Sequence, residues 1–459
     1  MTKEELEDYK NNIPEINESI VEMEKANSQI VIYEGEYVIK YADNEIKIVG
    51  KVYFDWFPNF GTYFSGKPLI DVDKAYDLFH KVKMFEIIID DLKFGDAFIT
   101  RTNIQSLNGE INFIGVLSQQ AIFGDKSIPV KTIRFSVPNL REFYGLPVKK
   151  QTVENISHFS GRLILENNNF LIKLDKLKNY AKLSSSLEES GGYVVLYAGE
   201  IESKKGSMTF ETVKDTFHCL DTFLTFLNGR RTSALFITGM HEGEKVWSDF
   251  TGYHVDAFKS VLSWPQRHSI AGINELWQKF CELWKDKDDK NFLTSAIHWY
   301  IEANNHSGFT EGSIIMAQTA LELLYNWWII ENKKIIIGKD SEIINASNKI
   351  RLLLSQLDID YLVPQKFSEL QSFIDSDKQI IDAPDAVVQI RNAIVHSQEE
   401  KRKKLSSIHY KAKSEALNLC IWYIEMSILR ILEYNGKYYN RCSKELHRSL
   451  AEEIVPWKR

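Results

Sequence analysis

The residues Trp264-Pro-Gln-Arg-His-Ser divide this chain by the period of its apolar residues. Before them, apolar and polar residues alternate over short runs, the pattern of half-buried strands. After them, apolar residues return every three or four positions, the pattern of amphipathic helices. Two such blocks in 459 residues read as an α+β multidomain protein, two or three domains being the expectation for this length. We expect a charged helical segment over 1–27, a β-rich recognition domain over 28–265, and an all-α domain over 266–459.

Within the first block, Ser28-Gln-Ile-Val-Ile-Tyr-Glu-Gly-Glu-Tyr-Val-Ile-Lys-Tyr holds two β-rich runs around Glu34-Gly35-Glu36, a hairpin signal. Strand-like runs recur at 45–54, 85–89, 96–100, 111–117, 132–137, 161–166, 170–174 and 192–198. Many short strands with polar turns predict a sandwich or barrel-like domain. The stretch Tyr53-Phe-Asp-Trp-Phe-Pro-Asn-Phe-Gly-Thr-Tyr-Phe is the densest in aromatic residues. Large aromatics mostly bury, so core is the first reading and a recognition surface the second. One helix interrupts the strands, with Phe217, Leu220, Phe223, Leu224 and Leu227 at helical spacing and a stop at Asn228-Gly229.

In the second block, helices are expected over 272–284, 291–303, 310–333, 341–357, 364–373, 382–396 and 409–434. Lys285 to Asn291 reads as a charged turn, and Lys401-Arg-Lys-Lys as a solvated loop unless it meets a polyanion. The helix at 310–333 is strongly apolar, but Gln318, Glu322 and Asn326 form a polar stripe, which suits a bundle better than a membrane.

Composition sets limits on partners and compartment. Hydrophobic residues make up 44% and charged residues 26%, as in an ordinary globular protein. The net charge of −7 means that a nucleic acid must be met by a local basic patch. The opening residues are polar and acidic, unlike a signal peptide, and no run reaches the ~18 apolar residues needed to span a bilayer. Cys219, Cys281, Cys420 and Cys442 are far apart with no C-x-x-C, so they read as reduced thiols of a cytoplasmic protein without a zinc site. We expect no metal and no cofactor.

The helix Asp382-Ala-Pro-Asp-Ala-Val-Val-Gln-Ile-Arg-Asn-Ala-Ile-Val-His carries the candidate chemistry. Asp382 is placed to N-cap it and Pro384 fits only its first turn. At about 100° per residue, Asp385, Gln389, Asn392 and His396 share a polar stripe. Val387, Val388, Ile390, Ile394 and Val395 form an apolar arc with Arg391 in its middle. One reading is a core helix whose Arg snorkels or pairs with a carboxylate and whose His is merely exposed. The other is a nuclease. Phosphate loops ending in Gly-Lys-Ser/Thr, H-E-x-x-H and G-x-S-x-G are all missing. Arg391, Asn392 and His396 suit metal-free RNA cleavage, in which the ribose 2′-hydroxyl attacks the adjacent phosphate. His396 serves as general acid or base, and Arg391 neutralises charge on the phosphoryl oxygens. Asn392 orients His396 or donates to phosphate. Lys401, Arg402, Lys403 and Lys404 would hold the RNA backbone. Glu322 is a candidate partner for Arg391.

Arg391-Asn-Ala-Ile-Val-His resembles the R-x4-6-H motif of HEPN ribonucleases, including the polar residue after the Arg. Gly312-Ser-Ile-Ile-Met-Ala-Gln-Thr-Ala-Leu-Glu-Leu-Leu and the ending Ile431-Leu-Glu-Tyr-Asn-Gly-Lys-Tyr-Tyr-Asn-Arg are similar to HEPN domains of ApeA-type bacterial anti-phage proteins. The likeness covers about 270–459 well and the β-rich part loosely. It implies a dimerising, metal-independent RNase whose site combines motifs of two protomers and cleaves RNA, tRNA being one candidate. It further implies abortive infection, with the N-terminal domain sensing a phage component. The position two residues after His396 is Gln398, not the Tyr of nucleotidyltransferase-controlled toxins. Two other readings stand beside it: a non-catalytic module that binds RNA or nucleotide, and a glycan-binding protein using Trp56 and Phe57.

Overall fold

The computed structural model describes residues 12–42, 44–105, 110–151, 156–268, 270–306, 308–396, 398–445 and 451–458. The chain forms two compact units. One comprises the residues up to Asp221 together with Thr232–Phe258, and the other Thr222–Arg231 with Lys259–Arg459. The first is rich in strands and the second is mainly helical.

The β-rich unit opens with a closed antiparallel barrel. Its strands are β1 (Ile30–Tyr41), β2 (Asn44–Asp55), β3 (Gly61–Pro68), β4 (Phe85–Ile89), β5 (Leu92–Gln105) and β6 (Glu110–Leu117), in the order β1-β2-β3-β6-β5-β4. The β1–β4 pairing closes the ring, so no open edge remains to recruit another strand. Alternation puts Tyr37, Ile39, Ile48, Val52, Phe64, Ile87 and Phe113 inside. Helix α1 (Val72–Lys81), N-capped by Asp71, adds Ala75 and Phe79 to that core. Gly50 faces Gly66 across β2 and β3, and a Cβ on Gly50 would lie 2.0 Å from the Ser65 carbonyl. Only glycine lets the backbones approach this closely.

An eight-stranded antiparallel sheet follows, built from β7 (Ile122–Gly124), β8 (Thr132–Pro138), β9 (Leu146–Gln151), β10 (Ile156–Glu166), β11 (Phe170–Lys176), β12 (Val195–Ser203), β13 (Leu235–His241) and β14 (Glu244–Asp249). Its order is β7-β14-β13-β8-β12-β11-β10-β9. Helices α2 (Tyr180–Ser190) and α3 (Phe210–Asn228) accompany it, and Phe217 of α3 packs edge-on against Phe135 of β8 at 5.3 Å. The aromatic stretch is core: Phe54, Trp56 and Phe64 are buried, and Trp56 stacks on Tyr193 while its Nε1 donates to the Ser28 carbonyl. Phe57 stays half exposed. A glycan platform using Trp56 is therefore ruled out by burial.

The helical expectation for 1–27 is corrected over 12–27, and residues 1–11 lie outside the described residues. No helix forms over 12–27. Ile13, Val21, Met23 and Ala26 bury at spacings that no single helix face provides, and the segment lies as a strap along the sheet. The Glu15 carbonyl accepts from Arg162, which also forms a buried ion pair with Asp175, and the Asn17 N–H donates to Asp175.

The helical unit runs through α4 (Ile273–Trp284), α5 (Lys287–Asn304), α6 (Phe309–Tyr325), α7 (Asp340–Ile343), α8 (Ala346–Gln356), α9 (Ser368–Ser376), α10 (Ala383–Val395), α11 (Glu399–Ser407) and α12 (Tyr410–Ile431). It is not all-α: Lys437–Tyr439 (β15) and Glu452–Ile454 (β16) pair as a small ribbon. The expected charged turn is mostly helix, because Asp286 caps α5 by accepting from the Asp288 and Asp289 N–H groups. The expected long helix 310–333 changes to a π-helix at Asn326–Asn332, where Trp327 stacks on Phe292 and donates to Asp289. The solvated loop at 401–404 is helix α11. Helix α12 is buried along most of its length. Its Glu425 is fully buried and accepts from Tyr300 of α5 and from both Nε and Nη2 of Arg441, while Arg441 Nη2 also reaches Asn304. No described helix is long and apolar enough to cross a membrane.

Candidate active site

Helix α10 begins as the sequence predicts. The Asp382 side chain accepts from the Asp385 N–H, with Pro384 in the first turn. Arg351 of α8 fixes this end: its Nε and Nη2 bind the two Asp382 oxygens at 2.5 and 2.8 Å, and Nη2 lies 3.0 Å from Asp385. The hydrogen bond to Asp382, joined by the charges of Asp382 and Asp385, raises the guanidinium above its ordinary value against the opposing effect of burial. From the other side, Gln318 of α6 is buried and donates to the Val387 carbonyl at 2.7 Å. Neither contact was visible in the sequence. Arg351 lies 31 residues from Asp382, and no local pattern links them.

The buried face of α10 is Ala383, Pro384, Ala386, Val387, Ile390 and Ala393. This corrects the expected arc. The alanines belong to the packed stripe and turn its centre about 90° away from Arg391. Val388 is half-buried and Val395 is exposed. Arg391 therefore stands at the edge of the stripe, half-buried, and its Nη1 donates to the Asn392 Oδ1 at 3.3 Å.

His396 ends the helix. Its φ of −89° and ψ of 108° are extended, its N–H donates to the Asn392 carbonyl at 3.1 Å, and its side chain is exposed. Asn392 thus serves His396 through its backbone and Arg391 through its side chain. It does not orient the imidazole. The other members of the expected polar stripe are engaged too: Asp385 by Arg351, and Gln389 by Lys404.

Glu322 does not meet Arg391. It is over half exposed and pairs with Lys349 at 2.8 Å, so it is not the partner of Arg391. The basic residues follow His396 directly on α11. Lys403 pairs with Glu399 at 2.7 Å, and Lys404 with Asp377 at 3.1 Å. Lys401 is half-buried and Arg402 exposed. The arrangement brings an exposed imidazole, a carboxamide-held guanidinium and a partly neutralised basic helix to the C-terminal end of α10.

Residues 286–453 match the YopA C-terminal domain family, and residues 125–261 match the YopA central domain family. The chain is 27% identical over 437 residues to the SPbeta prophage-derived uncharacterized protein YopA of Bacillus subtilis (strain 168), covering 94% of this chain and 96% of that relative. No solved structure gives a significant match.

Proposed function

We propose that the helical unit is a HEPN-type, metal-independent endoribonuclease of bacterial anti-phage abortive infection. The observation that carries this reading is the end of α10, where Arg391 in the last turns and His396 at the C-cap both lie outside the helix's packed stripe. In the proposed reaction His396 takes the proton of a ribose 2′-hydroxyl. The oxygen attacks the adjacent phosphorus and the bond to the 5′-oxygen breaks as that oxygen takes a proton from a second, protonated imidazole, that of a second copy of the chain, leaving a 2′,3′-cyclic phosphate and a 5′-hydroxyl. Arg391 balances the charge that builds on the phosphoryl oxygens, and Asn392 presents the guanidinium. Helix α11 carries Lys401, Arg402, Lys403 and Lys404, which would hold the RNA backbone.

A homodimer suits this chemistry, because one chain supplies a single imidazole for two proton transfers. Val395, exposed beside His396, offers apolar surface that the chain itself leaves uncovered. The β-rich unit would sense the phage component that triggers cleavage. The prophage origin in the relative's name fits a role in competition between phages.

The test is cleavage of RNA by the full chain in EDTA. His396→Ala and Arg391→Ala should each abolish it with an unchanged melting curve, as both side chains lie outside the packed face. A folded His396→Ala protein that cuts at the wild-type rate refutes the reading.

One observation favours the non-catalytic alternative. No hydrogen bond within the described residues orients the His396 side chain, whereas a general base is usually held by a partner. RNA retained by the protein and never cut, with or without phage lysate, would establish a binding module instead.

A further inference from the structure

The β-rich unit holds a cavity of about 260 Å³, separate from the α10 site. One face of α3 lines it with Phe210, Val213 and Phe217, and Ile237 of β13 closes the far wall. All four side chains are buried. Lys214 and His218 stand exposed at the mouth, Lys214 being paired with Glu211 at 2.7 Å. Two polar groups face inward, Asp221 at the next turn of α3 and Tyr253 from the segment after β14.

Among the described residues, Asp221 forms no ion pair. Its Oδ1 accepts from the Ala234 N–H at 2.8 Å, and the Ser233 hydroxyl lies within hydrogen-bond reach. No lysine, arginine or histidine is among the groups that set its ionisation. Tyr253 lines the cavity and donates its hydroxyl proton to Asp249 at 2.7 Å, with the Thr251 side chain also within hydrogen-bond reach of its oxygen, which keeps acceptor capacity. The interior offers apolar walls, an acid and an acceptor. Such walls reject anions, and the volume falls below the ~300 Å³ lower bound of drug-sized pockets, which favours a small ligand over a nucleotide.

We propose that this cavity binds a small amphipathic amine, its aromatic or branched aliphatic body between Phe210, Val213, Phe217 and Ile237 and its ammonium on Asp221. The site is independent of the ribonuclease reading. An ammonium supplies the missing charge and donates a second N–H to the Tyr253 oxygen.

A proton is linked to binding. Burial pushes the Asp221 carboxyl up to about 8, so it is mostly protonated at pH 7. Pairing with an ammonium ionises it and releases a proton at that pH. The groups facing it are Lys214 and His218 on its own helix, Tyr253 beyond β14 and the buried Asp249 behind Tyr253. Affinity should rise as pH goes from 6 to 8.

The experiment is calorimetric titration of the full chain with 2-phenylethylamine and, separately, with 3-phenylpropionate, in two buffers of different ionisation enthalpy. The amine should bind with proton release at pH 7, and the acid should not bind. Asp221→Asn should weaken the amine at least tenfold and remove the proton release. Equal binding of the acid, no amine binding up to about 10 mM, or amine binding without proton release overturns the proposal. If Asp221→Asn does not fold, the wild-type contrast between amine and acid and its proton count decide alone.

Discussion

Replacing Arg441 by Met tests how the helical unit is held together. Arg441 reaches Glu425 through Nε at 3.0 Å and Nη2 at 2.5 Å, and the two side chains are 3% and 0% exposed. Met fills much of the same volume but leaves the Glu425 carboxylate with Tyr300 as its remaining hydrogen-bond donor, in a place water does not reach. Removing one partner of a buried pair costs about 3–5 kcal/mol. For a unit of this size that is a drop of roughly 6–20 °C in the midpoint of thermal unfolding. The assay is circular dichroism at 222 nm, which follows the helical unit, on purified full-length protein. The apolar triple variant Tyr300→Phe, Glu425→Leu, Arg441→Met removes all three polar partners together and should recover most of the loss, because well-packed apolar groups replace a buried pair at little cost. A change under about 1 kcal/mol for Arg441→Met, or a triple variant as unstable as the single one, refutes a sealed and mutually dependent network.

Arg351→Ala should cost about 1–3 kcal/mol, because it strips a bidentate, mostly buried partner from Asp382, whereas Glu322→Ala should stay within about 0.5 kcal/mol, since its bond to Lys349 is exposed. Urea unfolding of the two variants distinguishes them. If α11 tracks RNA, replacing Lys401, Arg402, Lys403 and Lys404 by Ala together should flatten the fall of log K with log salt by at most about 0.7 per residue, with Lys403 and Lys404 contributing less because acidic side chains already hold them. Filter binding across a salt series gives that slope, and an unchanged slope would place the RNA elsewhere. Asp221 also predicts a pH effect. Its folded carboxyl is raised to about 8 from an unfolded value of about 4, so its contribution is fully present below pH 4 and is lost as pH rises through 8. Asp221→Asn should therefore flatten the decline of stability between about pH 5 and 8, and a parallel pH curve would refute the assignment.

The sequence alone determined many of the local elements of this protein, though not the strap at 12–27 or the helix at 399–407. Alternation marked the strands, three-to-four spacing marked the helices, and Asp382 with Pro384 marked the start of α10, because each signal depends on residues within a turn or two of one another. It also marked Arg391, Asn392 and His396 as the residues whose chemistry is unlike that of a core helix. What it could not decide was every relation that depends on distant residues. The choice of a closed barrel plus a larger sheet rests on which strands pair, and β3 pairs β6 across an intervening helix and two strands. The face on which Arg391 stands was misjudged because alanines weigh little in a hydrophobic count, yet Ala383, Ala386 and Ala393 are the residues that let α10 pack closely. Glu322 went to Lys349, Asp382 to Arg351 and Glu425 to Arg441. A charged side chain takes the partner that the fold carries to it, and only the tertiary structure sets that distance.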